Sequence, residues 1–153
     1  GEPFRPLARA ASGGELARAM LAVRVALHAA GVGADGVPVL VFDEVDAGIG
    51  GEAGSAVGRE LRALAEGCDV VCVTHLAQVA ACADNQIVVT KRTVRDRTIA
   101  MAEVVTGDDR ITELSRMLAG VGESEHARRH AAELLGATTP AGGRRRGAGG
   151  GRG

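Results

Sequence analysis

An α/β fold with parallel strands and crossover helices is what this sequence predicts, and three observations carry the expectation. Two short runs, Pro38-Val39-Leu40-Val41-Phe42 and Asp69-Val70-Val71-Cys72-Val73-Thr74, have the apolar continuity of strands buried on both faces of a parallel sheet. A stretch of helical periodicity from about Glu52 to Glu66 lies between them, long enough for a right-handed crossover. A second helical stretch precedes the first run, and glycine-rich turns separate the elements.

Taken in order, residues 1–11 are a lead-in containing Pro3 and Pro6. From Gly13 to about Ala30, Leu16, Met20, Val23 and Leu27 recur at i, i+4, i+7 and i+11, which predicts a helix with that apolar stripe and with Glu15, Arg18 and Arg24 elsewhere on its surface. Gly31 to Gly36 supplies the stop and the turn. Gly48, Gly50 and Gly51 lead into the next helix, whose apolar face is Ala53, Val57, Leu61 and Leu64. After the second strand come a short helix near Leu76–Cys82 and two runs, Gln86–Lys91 and Thr98–Val105. The polar turn Arg92–Arg97 joins those runs, and together they predict a β-hairpin at the sheet edge. Asp109–Leu118 and Ser124–Leu135 predict two amphipathic helices. Residues 1–136 are therefore expected to form one domain, and residues 137–153, rich in Gly and Arg, a disordered tail. Arg144, Arg145 and Arg146 of that tail could touch DNA phosphates, but a solvated end is the simpler expectation.

A formal net charge of -1 gives no global field directed at nucleic acid or membrane, so any DNA contact is expected to be local or to come from other parts. Trp and Tyr are absent, and the aromatic residues are Phe4 and Phe42, so the core must be aliphatic. Cys68, Cys72 and Cys82 are odd in number, and Cys72 lies within a strand; buried thiols in a reducing cytosol fit this better than disulfides. Grouped with His75 they could be offered as a zinc site, but their spacing matches no standard pattern. No run reaches the ~20 apolar residues of a membrane span and no signal peptide is visible, so no membrane partner and a cytoplasmic location are expected. The chain opens at Gly1 and passes almost at once into its first motif, which reads as part of a longer protein.

That motif is Ser12-Gly13-Gly14-Glu15 at a helix start. Open backbone N–H groups, the serine hydroxyl and the positive helix end make it an anion site, and glycine lets a phosphate approach closely. Ser-x-x-Glu is equally a capping box, and capping exposes the same donors, so the two readings coexist. Asp43 and Glu44 follow an apolar strand directly, at the carboxyl end where open α/β sheets bind ligands. There the first acid suits Mg²⁺ held through its hydration shell, and the second suits a group that orients and deprotonates an attacking water. Capping the next helix is their alternative role. His75 ends the neighbouring strand at the same edge and can donate to a terminal phosphate oxygen. Asp46 sits in a flexible acidic loop with Gly48, Gly50 and Gly51. His28, His126 and His130 are expected to be ordinary surface residues. A Gly-x-x-x-x-Gly-Lys-[Ser/Thr] loop occurs nowhere in the sequence. Ser12, Asp43 and His75 also follow the chain order of an α/β-hydrolase triad, but the Gly-x-Ser-x-Gly elbow is missing.

Together these residues resemble the ATP-binding-cassette ATPases, and within them the DNA-maintenance branch of SMC and Rad50 heads. Ser12-Gly13-Gly14-Glu15 looks like the signature motif, Val39 through Glu44 like Walker B with its glutamate, Asp46 like the D-loop aspartate and His75 like the switch histidine. Asp43-Glu44-Val45-Asp46 and Gly13-Gly14-Glu15 differ from the Asp-Glu-Pro-Thr and Gly-Gly-Gln strings of transporter cassettes. The likeness narrows to bacterial double-strand-break-repair members of that branch through Ala11–Arg18, Val41–Gly51, Val73–Ala80 and Glu113–Gly120, and it covers roughly residues 5–135.

The resemblance implies the carboxyl-terminal lobe of an ATPase head, with an amino-terminal lobe holding the nucleotide and a coiled coil between the two. Two heads would sandwich ATP as a homodimer. Ser12, Gly13, Gly14 and Glu15 would serve the facing nucleotide, and Asp43 with Mg²⁺ and Glu44 would serve their own; His75 would be catalytic beside Glu44, and Asp46 would contact nucleotide. The implied setting is DNA repair and recombination near the nucleoid. Without a P-loop, the chain by itself is expected to be catalytically silent.

Overall fold

The computed structural model describes residues 11–31, 39–94, 97–120 and 124–138. Most of the lead-in, most of the first glycine turn, Pro38, the centre of the hairpin turn and residues 139–153 of the tail lie outside them. Helix α1 spans Gly13–Ala29, strand β1 Val39–Phe42, helix α2 Gly51–Leu64, strand β2 Asp69–Cys72 and the single turn α3 Ala77–Ala80. Strands β3 (Gln86–Val94) and β4 (Arg97–Val105) follow, then helices α4 (Gly107–Ala119) and α5 (Glu125–Thr138).

Strands β1 and β2 pair in parallel from Val39↔Asp69 to Phe42↔Cys72, with α2 as the crossover, as the apolar runs predict. The amide of Val73 still donates to the carbonyl of Phe42 at 2.9 Å, so the two chains stay together to the rim where the acids and His75 emerge. Strands β3 and β4 are antiparallel and make a separate two-stranded sheet, not an edge of the parallel pair. Most of the expected polar turn, Arg92 to Val94 and Arg97, is ladder: Thr93 pairs with Thr98 and Val94 with Arg97, and threonine supports strand as readily as turn.

One core joins α1, α2 and the inner face of the parallel pair through Leu21, Phe42, Val45, Val57, Leu61, Leu64 and Val79. A second joins α3, α4 and α5 through Ala77, Ala80, Ala81, Leu114 and Ala131. Single-turn α3 thus belongs to both, and two arginines tie down its end. Arg62 of α2 donates to the carbonyl of Cys82 at 2.7 Å, and Arg110 of α4 donates to those of Ala80 at 3.0 Å and Ala83 at 2.6 Å.

Three expectations are corrected. The parallel strands are covered on one face only: Val41 is 69% exposed, and Val39 and Val71 are exposed beside it, because no described element lies over that side. In α1 the inward row is Gly14, Ala17, Leu21 and Val25, whereas Met20, Val23 and Leu27 of the expected stripe face outward. The close seat of Gly14 and the inward reach of Arg18 set that rotation. Helix α5 runs two residues into the expected tail, where the hydroxyl of Thr138 donates to the carbonyl of Ala81 at 2.8 Å.

Candidate functional site

Helix α1 begins with a complete capping box. The hydroxyl of Ser12 accepts from the Glu15 amide at 3.3 Å, and the Glu15 carboxylate accepts from the Ser12 amide at 2.7 Å. The Ser12 amide, and then its hydroxyl, hold the Glu15 carboxyl below its ordinary value. Ser12 and Gly13 remain at the surface, while Gly14 is buried. A helix start of this kind presents its first-turn amides to an anion, so the cap and the anion-site readings of the sequence are compatible here.

The acids lie directly against this helix start. Strand β1 ends at Phe42, and Asp43 and Glu44 emerge at its carboxyl end, both exposed. An oxygen of Asp43 accepts from the Glu44 amide at 2.9 Å. Glu44 has φ +57, the one positive value at a non-glycine position among the described residues. That conformation is uncommon for glutamate and is the kind that persists where surroundings enforce it. A Cβ added to Gly13 would lie 2.6 Å from Oε2 of Glu44, and one added to Gly14 would lie 2.8 Å from the carbonyl oxygen of Ala47. Gly14 is therefore demanded by the close approach of the 44–47 turn, whereas at Gly13 the neighbour is the movable end of the exposed Glu44 side chain.

Arg18, assigned to the outer surface from its sequence position, reaches inward instead. Its Nη1 donates to the carbonyls of Ala47 at 2.8 Å and Val45 at 3.3 Å. Periodicity could not reveal this contact, because its partners are main-chain oxygens 27 and 29 residues away.

Asp46 is not part of a flexible loop. It is 3% exposed, and Val45 beside it is fully buried. Its carboxylate accepts from the hydroxyl of Thr74 and from the amide of His75 at 2.9 Å, and it lies 3.1 Å from Nδ1 of the His75 ring. Burial works against its charge, but the Thr74 hydroxyl, the His75 amide and the His75 ring outweigh it and hold the carboxyl below its usual value. The carboxylate is spent on β2's exit, so it orients the histidine. The ring is well exposed, and with Nδ1 engaged its Nε2 is the nitrogen left for another partner. Thr74, which sequence reading passed over, also accepts from the Leu76 amide at 3.0 Å and so shapes the turn.

The structure thus gathers Ser12, Gly13, Gly14, Asp43, Glu44, Asp46 and His75 around the rim of the parallel pair. It does not assemble a Ser12–Asp43–His75 triad, because the Ser12 hydroxyl accepts from Glu15 and the ring pairs with Asp46. Cys68, Cys72 and Cys82 are free thiols, and no group of three or more potential metal ligands occurs among the described residues. Burial, reinforced by the charges of Asp46 and Asp43, pushes the Cys72 thiol up to about 11. His126 and His130 share an open surface of α5 with Arg129 and Glu133. For a hard cation the chemistry of the rim is suitable: Asp43 and Glu44 offer exposed carboxylate oxygens, the donor type Mg²⁺ prefers. No helix of the described residues is long and apolar enough to cross a membrane.

No protein-family model matches the sequence. Over 135 residues, 88% of the chain, it is 53% identical to DNA repair protein RecN of Streptomyces coelicolor. Over the same length it is 49% identical to that of Treponema pallidum and 50% identical to that of Deinococcus radiodurans. The chain spans only 23% of the length of these relatives. A solved chain from "Structural biochemistry of ATP-driven dimerization and DNA stimulated activation of SMC ATPases" shares the fold, with a TM-score of 0.52 and 21% identity. The alignment covers 80% of this chain and 70% of that one.

Proposed function

We propose that this chain, a homologue of the RecN family over 135 of its residues, is the carboxyl-terminal lobe of an SMC-type ATPase head that works in DNA repair and recombination. The observation that carries the reading is the rim itself: paired acids at the end of β1 beside a histidine whose Nδ1 is held 3.1 Å from a buried aspartate. In this reading the nucleotide is held by an amino-terminal lobe, and two heads close on ATP as a homodimer in the cytoplasm, at the nucleoid. DNA is engaged by the longer protein.

Ser12 and the first amides of α1 would bind the terminal phosphate carried by the facing head, with Glu15 fixing the serine through the capping box. Asp43 would hold Mg²⁺ through water; bound there, the ion would neutralise charge developing on the phosphate oxygens. Glu44 would orient the attacking water and take its proton. Asp46 would hold the His75 ring so that Nε2 meets the terminal phosphate.

The test is Glu44→Gln in a two-lobe protein that joins this chain to its nucleotide-holding partner. Hydrolysis should collapse by about a hundredfold or more while ATP-dependent association persists. Undiminished hydrolysis would reduce the chain to a docking lobe. Titrating nucleotide into the chain alone should give no saturable binding, and micromolar binding would overturn the split-lobe arrangement.

A further inference from the structure

The geometry points to Arg18 as a positioning residue that makes the phosphate-facing end of α1 and the acid-bearing turn move as one piece. This rests on the two-head reading above. Its Nη1 donates both its hydrogens to carbonyls that flank one residue, Val45 at 3.3 Å and Ala47 at 2.8 Å, with Asp46 between them. Asp46 is the buried carboxylate that holds the amide and ring of His75. A continuous set of contacts therefore runs from α1, through the peptide groups around Asp46, to the imidazole at the end of β2.

Packing reinforces that link. Gly14 leaves no room for a side chain between α1 and the turn: a Cβ there would lie 2.8 Å from the Ala47 carbonyl oxygen, 2.9 Å from the Ala47 side chain and 3.0 Å from Nη1 of Arg18 itself. Glu44 is held with φ +57, and Oε2 would sit 2.6 Å from a Cβ on Gly13. Helix start and acid turn thus touch at Gly13, Gly14 and Arg18, on one flank of the helix. Among the described residues Arg18 is the group that supplies hydrogen bonds across this seam, at a part-buried place.

In a head dimer, Ser12 of a chain faces one nucleotide and Glu44 of the same chain faces the other. A strut between these two ends makes each nucleotide site sense the seating of the other. Phosphate drawn onto Ser12 and Gly13 pulls α1; Arg18 carries that displacement to the turn that aims Asp46 and His75. Arg18 touches neither nucleotide. It acts through the backbone around Asp46.

Mixed dimers of the two-lobe protein test this. When one chain carries Glu44→Gln, a single competent site remains, made from the acids of the unaltered chain and the Ser12 end of the Glu44→Gln chain. Arg18→Met keeps the stem and removes the donors, and it can be placed in either chain. Both placements should lower kcat of the surviving site about tenfold, the scale of a small misplacement, with KM for ATP within about twofold. Full activity with Arg18→Met on the Ser12-donating chain would overturn the strut, because a residue that merely packs its own acid turn gives that result. Should Arg18→Met fail to fold, Arg18→Lys, with charge but shorter reach, should show a smaller loss in both placements. Full rates in both would sink the proposal. Hydrolysis surviving Glu44→Gln in both chains would overturn the ATPase reading, and the strut with it.

Discussion

The rim of the parallel pair and the β3–β4 hairpin treat their side chains in opposite ways. At the rim, polar groups find partners inside the chain: Asp46 receives the Thr74 hydroxyl and the His75 amide, and Arg18 donates to two carbonyls. The hairpin has a complete nine-residue ladder, yet Ile87, Val89, Ile99, Met101 and Val104 are all exposed. The register places Ile87 opposite Val104 and Val89 opposite Ala102, so these four share one face as an apolar patch. Val39, Val41 and Val71 form a similar bare surface on the parallel pair. The difference teaches which contacts this chain makes for itself. The geometry of its rim is internally fixed, whereas its apolar sheet faces have the character of surfaces that something else covers.

Removing Asp46 is the strongest way to break that contrast. Asp46→Ala takes the acceptor from the part-buried Thr74 hydroxyl and His75 amide, so chemical unfolding should show a loss on the order of 2 kcal/mol. A loss below about 0.5 kcal/mol would mean that the rim is no better fixed than the hairpin. The same carboxylate has a pH signature. Its folded value lies below the unfolded one, so its stabilisation is fully present above about pH 4. It disappears as pH falls further through the depressed folded value. In Asp46→Asn the acid limb of the stability profile should flatten over that window; an unchanged limb would show that Asp46 is not the titrating group.

Ser12→Ala probes the rim more gently. Among the described residues the hydroxyl accepts only from the Glu15 amide, so a loss of about 1 kcal/mol is expected, the usual worth of an N-cap. A measured change near zero would show that the helix start is held by Gly14 and Arg18 without its cap.

Legibility in the sequence divides along the same line. Local signals were sufficient for the parallel pair, its crossover, the capping box and the hairpin, because continuous apolar runs, helical spacing and Ser-x-x-Glu act within a few residues. Two adjacent strand ends were enough to bring Asp43, Glu44 and His75 to one rim, whereas the seat of the Ser12 helix start against that rim was not legible. Partnerships across long sequence separations were not legible. Arg18 looked like a surface charge because its acceptors are backbone oxygens, and Asp46 looked mobile because it sits among glycines. Only the fold returns Thr74 and His75 to it. Apolar continuity in β1 and β2 signalled two covered faces, and one of them is bare here. A hydrophobic run records what a strand is built to meet, even where the described residues supply no cover.

The smallest expected effect sharpens the comparison furthest. Val89 is 64% exposed in the middle of β3, opposite Ala102. Val89→Thr keeps the β-branched shape that suits a strand and exchanges one methyl for a hydroxyl already in water. In this chain alone, denaturant unfolding should therefore register a change within about 0.5 kcal/mol. In the two-lobe protein, a covered Val89 would force that hydroxyl into an apolar contact, and the same substitution should cost about 1–3 kcal/mol. Equal and small costs in both settings would mark the face as permanently solvated and remove it as a docking surface. A large cost in the chain alone would mean that β3 is already covered from within, and the contrast between rim and hairpin would fall.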